Sequence, residues 1–207
     1  MKLIAVTQRE IFVSETKEQR DSIDRRWYDF FSKTNLLPLL LPNDLILAAE
    51  LLNHYRVAGI LLTGGGDISA LNGHKKEREG VEEYLIELSI KNKLPLLGIC
   101  RGMQKIQNYF GIKLQRVDGH IMDVQEIVVD GKKQVVNSYH NYGTTETNQH
   151  LLVSARAHDN VVKAVNHQNY SISGIMWHPE RCESFRNEDL NFFKKFYASS
   201  DTGGGQG

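Results

Sequence analysis

A cysteine flanked by two glycines is the residue of this chain best suited to covalent chemistry. It lies in the run Gly98-Ile99-Cys100-Arg101-Gly102, which follows a short apolar stretch and precedes helix-forming residues. This layout is typical of a nucleophile elbow, a sharp strand-to-helix turn that exposes a nucleophilic side chain. Glycines relieve the crowding at such a turn, and the helix N-terminus favours the thiolate form. The pattern therefore predicts an acyl-transfer cysteine, whereas a free cysteine outside such a pattern is usually a buried structural thiol.

A histidine and a glutamate near the C-terminal end supply the groups that a thiol nucleophile needs. Such a thiol requires a base, and the base requires a partner that fixes its orientation. His178 and Glu180 follow an apolar run that predicts a strand, and active sites of open α/β sheets form at the carboxyl ends of strands. We therefore expect His178 to act as the base and Glu180 to fix its tautomer. Taken alone, His178 would be assigned to the solvated surface, and Cys182 lacks any such context.

A glycine-rich turn, Thr63–Asp67, follows another apolar run and can expose backbone N–H groups. Acyl transfer needs such donors for the oxyanion, and the N–H of Arg101 is a second donor because it directly follows the nucleophile. The same turn is also compatible with a plain loop or a phosphate cradle. A phosphate loop would carry Gly-Lys-Ser/Thr, or Gly-x-Gly-x-x-Gly opening a helix, and neither occurs here.

A third polar cluster, Val136–Tyr142, lies between predicted strands. Its position suits contacts with a substrate, and a polar loop anchored by aromatic side chains explains the same residues equally well. The other histidines show neither HExxH nor CxxC spacing, so we expect no metal. They are His54, His74, His120, His150, His158 and His167.

Strands and helices alternate in the first half of the chain, which predicts an α/β fold with a doubly wound, mostly parallel sheet flanked by helices. The predicted strands are Leu3–Thr7, Leu36–Leu41, Val57–Thr63 and Leu94–Ile99. The predicted helices are Glu18–Lys33, a helix capped by Asn43 or Asp44 and running to Tyr55, Glu79–Asn92, and a helix from the elbow to Phe110.

The second half predicts a small antiparallel extension. Gln125–Val129 and Gln134–Asn137 flank Asp130-Gly131, a dipeptide typical of a hairpin turn. Further predicted strands are Leu151–Ala155, Val161–Val165 and Ile172–Trp177, and the closing helix is Leu190–Tyr197. Without repeats or long linkers, residues 1–198 are expected to form one domain. The Gly-rich end, 199–207, predicts a disordered tail or a cloning remnant.

Composition narrows the classes of function. Lys plus Arg and Asp plus Glu balance at 25 each in 207 residues, so no net field attracts nucleic acid or an anionic membrane. Two cysteines cannot form a disulfide framework, which favours a reducing compartment. The N-terminal apolar run is too short for a signal peptide, and no run reaches membrane-spanning length. We therefore expect a soluble, cytoplasmic protein that acts on a small molecule. A homo-oligomer is compatible with these features.

Four motifs, in this order and spacing, resemble the class I glutamine amidotransferase-like superfamily. They are Thr63-Gly-Gly-Gly-Asp67, Gly98-Ile-Cys-Arg-Gly-Met-Gln104, Val136-Asn-Ser-Tyr-His140 and Trp177-His-Pro-Glu180. The resemblance runs from about Leu3 to Phe196 and implies a flavodoxin-like fold. Within the superfamily, the Cys-Arg-Gly-x-Gln motif is similar to that of the free-standing γ-glutamyl hydrolases, including the γ-glutamyl-γ-aminobutyrate hydrolases. Glutaminase domains fused to synthetases more often carry Leu-Gly-His-Gln after the cysteine.

The resemblance implies a role for each matching position. Cys100 would be the nucleophile, His178 the general base and acid, and Glu180 the third member of a catalytic triad. Gly65 and Arg101 would supply the oxyanion N–H groups. The α-amino and α-carboxylate groups of a γ-glutamyl moiety would be held by Gln104, Ser138, Tyr139 and His140. The implied reaction is hydrolysis of a γ-glutamyl C–N bond through a glutamyl thioester, without a cofactor.

The identity of the leaving amine is a separate question. As a whole, the chain looks similar to the γ-glutamyl-CDP-amidate hydrolases of bacterial capsule biosynthesis, which release glutamate and cytidine diphosphoramidate. Such a leaving group would need cations near the mouth of the site, for which the candidates are Arg9, Arg25, Arg26, Lys75, Lys76 and Arg78. Three alternatives stay open: hydrolysis of another γ-glutamyl amine, a glutaminase subunit that passes ammonia to a synthetase, and a binding protein without catalysis.

Overall fold

A computed structural model describes residues 1–73 and 76–198, so the predictions for His74, Lys75 and the tail 199–207 lie outside the described residues. The helices are α1 (Arg26–Thr34), α2 (Leu45–His54), α3 (Ser69–Asn72), α4 (Glu77–Asn92), α5 (Arg101–Tyr109) and α6 (Asn187–Ala198). The first strands are β1 (Lys2–Val6), β2 (Arg9–Val13), β3 (Glu18–Ser22), β4 (Leu36–Leu40), β5 (Ile60–Leu62) and β6 (Leu96–Ile99). The later strands are β7 (Gln115–Arg116), β8 (Ile121–Val129), β9 (Lys132–Tyr139), β10 (Tyr142–Gly143), β11 (Leu151–Ala157), β12 (Val162–His167) and β13 (Ile172–Ile175).

Nine of these strands form one mixed sheet in the order β4-β1-β5-β6-β13-β12-β11-β8-β9. The four pairs from β4 to β13 are parallel, and the four pairs from β13 to β9 are antiparallel. This arrangement confirms the predicted α/β fold with an antiparallel extension. The extension is four strands wide and continues the main sheet. The predicted hairpin turn is present, because Asp130 and Gly131 both have positive φ, as a type I′ turn requires.

The centre of the sheet is apolar on both faces, which is why its strands read as continuous apolar runs. All residues of β5 and β6 are buried. α1 packs against α6, where Phe30 and Phe193 rings meet edge-to-face at 4.7 Å, and α4 packs against α2 and α5. In the described parts of the chain, no helix has the length and apolar content to span a bilayer.

One predicted helix is wrong in its first part. Residues 18–22 of the predicted Glu18–Lys33 helix form β3, which pairs antiparallel with β2 in a separate two-stranded sheet. The helix begins only at Arg26, because the apolar side chains that give it a buried face start at Trp27. The β2–β3 hairpin was not predicted. β3 consists of five polar residues, so no apolar alternation indicated a strand.

The other predicted elements are present with shifted ends, whereas α3, β7 and β10 were not predicted. α4 begins at Glu77, two residues early, and α6 begins at Asn187, three residues early. β5 starts three residues later than the predicted strand at Val57, and β13 ends at Ile175, two residues before Trp177. Element ends depend on local hydrogen bonding, which residue pattern alone defines poorly.

Candidate active site

Cys100 lies at the carboxyl end of β6, between that strand and α5, in a backbone conformation that few residues other than glycine adopt. Its φ is 50° and its ψ is −104°, and its N–H donates to the Ile175 carbonyl at 2.8 Å. A Cβ added at Gly98 would lie 2.5 Å from the carbonyl carbon of Gly102. A Cβ at Gly102 would collide with the Leu62 carbonyl oxygen. Both flanking glycines are therefore required for the turn to close.

His178 reaches the same edge because β13 runs parallel to β6, with Ile175 opposite Ile99. A 3-10 turn, Pro179–Arg181, then brings Glu180 back toward the ring, and Glu180 Oε1 lies 2.7 Å from His178 Nδ1. The Cys100 side chain hydrogen-bonds the same imidazole, and both His178 and Glu180 are buried. The structure thus brings together the three residues predicted as a triad.

The charges around His178 favour its protonated form. Burial by itself lowers the pKa of the imidazole, but the Cys100 thiolate and the Glu180 carboxylate more than offset burial and raise the pKa to about 9. At neutral pH the ring is therefore an imidazolium beside the Cys100 sulfur. This pair can attack a carbonyl and then protonate a departing nitrogen.

Asn137 holds the backbone of His178, a role that was not predicted. Its Oδ1 accepts from the His178 N–H at 2.8 Å, and its Nδ2 donates to the His178 carbonyl at 2.7 Å. Both hydrogen bonds are buried. Asn137 belongs to the polar cluster that was predicted for substrate contacts, but its side chain fixes the position of the imidazole instead. Only the fold reveals this, because β9 and the segment after β13 are 41 residues apart.

The glycine turn after β5 lies directly against the Cys–His pair. A Cβ at Gly64 would lie 2.6 Å from His178 Cε1 and 3.5 Å from Cys100 Cβ. Gly65 has a φ of 89°, and the carbonyls of Gly64 and Gly65 accept from the Arg78 guanidinium at 3.3 and 3.0 Å. In a trans peptide the C=O of residue 64 and the N–H of residue 65 point in opposite directions. The Gly65 N–H therefore points away from Arg78, as its predicted role as an oxyanion donor requires.

A buried ion network supports this turn and corrects one prediction. Glu82 pairs with the side chain of Arg101 and, at 2.8 Å, with Arg78 Nε. Burial lowers the pKa of Arg78 to about 10, still far above neutral pH. Arg78 was predicted as a cation for the leaving group, which is wrong, because its guanidinium is buried and used by Glu82 and the turn carbonyls. The Arg101 N–H, in the first turn of α5, has no partner within the helix. The oxyanion roles of Gly65 and Arg101 stay predictions.

Two of the four predicted glutamyl contacts, Gln104 and His140, meet at the Tyr142 carbonyl. That oxygen lies 2.9 Å from Gln104 Nε2 and 2.9 Å from His140 Nδ1. Ser138 Oγ donates to the His120 carbonyl at 2.8 Å, and these side chains are buried. The Tyr139 hydroxyl instead donates to Asp123 at 2.6 Å near the surface, while its ring lies 6.0 Å from the His178 ring.

Lys163 is a buried lysine beside these contacts that the sequence analysis did not single out. Its Nζ lies 3.0 Å from Ser138 Oγ and 2.6 Å from His140 Nε2. Burial lowers the pKa of Lys163 to about 7, although Asp159 and Cys100 oppose this shift. Burial and the nearby Lys163 charge lower the pKa of His140 to about 3, so that His140 is neutral and can accept from the lysine. The sequence signal that could have identified Lys163 is its position among the apolar residues of the strand β12.

The sequence comparisons identify the family. A model described as glutamine amidotransferase class-I matches residues 19–198. The γ-glutamyl-CDP-amidate hydrolase of Campylobacter jejuni is 32% identical over 202 residues, which cover 94% of this chain and 97% of that protein. Anthranilate synthase component 2 of Thermococcus kodakarensis is 32% identical over 147 residues, covering 66% of this chain and 76% of that protein.

Solved structures share the fold. A glutamine amidotransferase from Thermotoga maritima superposes with a TM-score of 0.66 at 17% identity, covering 98% of this chain and 86% of that one. The Trypanosoma brucei CTPS glutaminase domain, which has acivicin bound, gives 0.67 at 14% identity, covering 97% and 94%. Fold and sequence together are those of a glutamine amidotransferase-like hydrolase. The chain belongs to the class I glutamine amidotransferase family.

Proposed function

We propose that this protein hydrolyses the γ-glutamyl C–N bond of γ-glutamyl-CDP-amidate, releasing L-glutamate and cytidine diphosphoramidate. The observation that carries the proposal is the hydrogen-bonded Cys100–His178–Glu180 arrangement in a chain that matches the Campylobacter jejuni hydrolase over nearly the full length of both.

The proposed mechanism follows from the pairing of Cys100 with the protonated His178. The Cys100 thiolate attacks the γ-carbonyl carbon, and the carbonyl oxygen takes up the negative charge opposite the N–H groups of Gly65 and Arg101. As the C–N bond breaks, the nitrogen takes the proton from His178, leaving a glutamyl thioester and a neutral imidazole. His178 then removes a proton from water, which attacks the thioester. Collapse of this second intermediate releases glutamate and restores the thiolate beside the protonated His178.

Glutamate release from a panel of γ-glutamyl compounds tests the substrate. The panel contains γ-glutamyl-CDP-amidate, γ-glutamyl-γ-aminobutyrate and glutamine, with the purified full chain. We expect the highest kcat/KM on the nucleotide amidate. A higher kcat/KM on γ-glutamyl-γ-aminobutyrate would contradict the proposed leaving group but would still support hydrolysis of a γ-glutamyl C–N bond.

A glutaminase subunit is the second candidate, favoured by the similarity to anthranilate synthase component 2. It requires glutamine to be the best substrate in the panel and its hydrolysis to rise when a synthetase partner is added. A binding protein without catalysis is the third possibility. Failure of an electrophilic glutamine analogue to label Cys100 would support it and would contradict the proposed enzyme.

A further inference from the structure

A cavity of about 230 Å³ lies beside His178, between the β2–β3 hairpin and the turn after β13. Its lining includes Arg9, Trp27, Gly65, His178 and Arg181. We propose that this cavity binds a phosphate of the leaving group, with Arg9 and Arg181 as its cations. The inference rests on the proposed function and specifies which side chains would select a phosphorylated leaving group.

The cavity lies where the proposed reaction places the leaving group. His178 must donate its proton to the departing nitrogen, so the atoms attached to that nitrogen occupy space next to the imidazole. Both His178 and Gly65, the predicted oxyanion donor, line the cavity, whereas Gln104 and the Ser138–His140 segment do not. The predicted glutamyl contacts and the cavity are thus lined by different residues, so the leaving group has a space of its own beside His178. In a nucleotide amidate, the phosphate is bonded directly to the departing nitrogen and is the first group to enter the cavity.

Arg9 is placed to meet that phosphate. Its aliphatic part lies on the glycine turn, because a Cβ at Gly65 would be 2.8 Å from Arg9 Cδ. The side chain is exposed, and within residues 1–73 and 76–198 its guanidinium has neither a hydrogen bond nor an ion pair. An arginine with free donors at the mouth of a cavity is suited to bidentate contact with phosphate oxygens.

Arg181 supplies the second cation from the turn after β13. Its guanidinium carbon lies 5.3 Å from the centre of the Tyr139 ring, and its Nε is buried without a hydrogen bond, 3.7 Å from Glu180 Oε1. The Arg181 side chain is 27% exposed, and among the described residues its terminal nitrogens have no hydrogen bond, so these nitrogens are the donors available to a phosphate oxygen.

The acidic groups of the cavity are already neutralised. Asp24 pairs with Arg26, whose terminal nitrogen lies 2.6 Å from Asp24 Oδ2. Glu180 is held by the protonated His178. Glu180 also lies 3.7 Å from Arg181 Nε, so Arg9 is the cation in excess, and the cavity favours an anion over the neutral ammonia that glutamine releases.

Arg9→Met tests the site, and Arg20→Met is its matched control. Arg20 lies on the other strand of the hairpin, pairs with Glu18 and does not line the cavity. For Arg9→Met we expect kcat/KM on γ-glutamyl-CDP-amidate to fall about 10- to 100-fold, the range of a lost charge-assisted hydrogen bond, with glutamine hydrolysis changed less than about 2-fold. Arg181→Met should act in the same direction. Arg20→Met should leave both activities unchanged.

Calorimetric binding of CDP separates failure of this site from failure of the proposed function. We expect CDP to bind the wild-type chain and to bind Arg9→Met about 10-fold more weakly. If the wild type does not hydrolyse the nucleotide amidate but this difference persists, the proposed substrate is wrong and the anion site stands. The site is wrong if Arg9→Met binds CDP like the wild type, if Arg20→Met weakens CDP binding equally, or if Arg9→Met lowers all activities alike.

Discussion

The predicted glutamyl side of the active site and the side that faces the cavity are built differently. On the predicted glutamyl side, Gln104, Ser138, His140 and Lys163 are buried and hydrogen-bonded to one another or to nearby backbone. On the other side, a small hairpin outside the main sheet places the exposed Arg9 beside a cavity. A buried hydrogen-bonded network fits a ligand of one shape, whereas exposed charged residues at the edge of a cavity can be substituted without disturbing the core. The contrast predicts that the acyl group is fixed by the fold and that the leaving group is selected by separable side chains.

The largest expected effect is the loss of the nucleophile that divides the two sides. Cys100→Ala should lower glutamate release about 10⁴-fold or more on every substrate, because both sides depend on the same thiolate. Cys182→Ala is the matched control, since Cys182 is a partly buried thiol outside the triad. Steady-state kinetics with circular dichroism measures both variants. Cys100→Ala with substantial activity and native structure would eliminate the covalent mechanism.

The next effect is a change in the pH profile when the partner of His178 is altered. The first step needs a protonated imidazole, so activity should fall as pH rises through about 9, the pKa of His178. In Glu180→Gln the carboxylate that helps to raise this pKa is lost, so the alkaline limb should move to lower pH, with kcat reduced about 10²- to 10⁴-fold. The kcat/KM profiles of both proteins from pH 6 to 10 measure the shift. An unchanged alkaline limb would show that Glu180 does not act on the imidazole.

A smaller effect is expected at the buried charge on the glutamyl side. The folded-state pKa of Lys163, about 7, is below its unfolded value near 10.4, so the unfolded chain binds more protons between these values. Wild-type stability should therefore gain from this group as pH rises from about 7 to 10, by at most about 4 kcal/mol. Lys163→Met removes the gain, and it should also raise KM for all γ-glutamyl substrates about 10-fold by releasing Ser138 and His140.

Urea unfolding of the wild type and Lys163→Met at pH 6.5 and 9 measures how Lys163 contributes to the pH dependence of stability. The pH-dependent contribution of His178 is the same in both proteins and cancels in the comparison. We expect the variant to be the more stable of the two at pH 6.5 and to lose that advantage at pH 9. A stability difference independent of pH would contradict the buried-charge explanation. A KM increase confined to one leaving group would contradict the assignment of Lys163 to the glutamyl side.

The sequence predicted best what local geometry demands. Cys100 was identifiable because a nucleophile in a sharp turn needs glycines at both neighbours, and the spacing of His178 and Glu180 follows from a strand end and a single 3-10 turn. Lys163 and Asn137 were not predictable in their roles, because their partners lie 25 and 41 residues away in the chain. The β2–β3 hairpin was missed since its polar second strand buries almost nothing and carries no apolar alternation.

The smallest expected effect concerns Asp24, an acidic residue in the wall of the cavity. Asp24→Asn removes a negative charge from the cavity wall and frees Arg26 from its ion pair. Because exposed ion pairs contribute only about 0.2–1 kcal/mol, stability should change little, while CDP binding should strengthen about 2- to 5-fold at low salt. The gain should disappear at high salt, where the Debye length falls to about 3 Å at 1 M. Calorimetric titrations of CDP at both salt concentrations measure this change, and weaker binding in Asp24→Asn would mean that Asp24 itself contacts the nucleotide. Glutamine hydrolysis, which places no phosphate in the cavity, should be the same in the variant and the wild type.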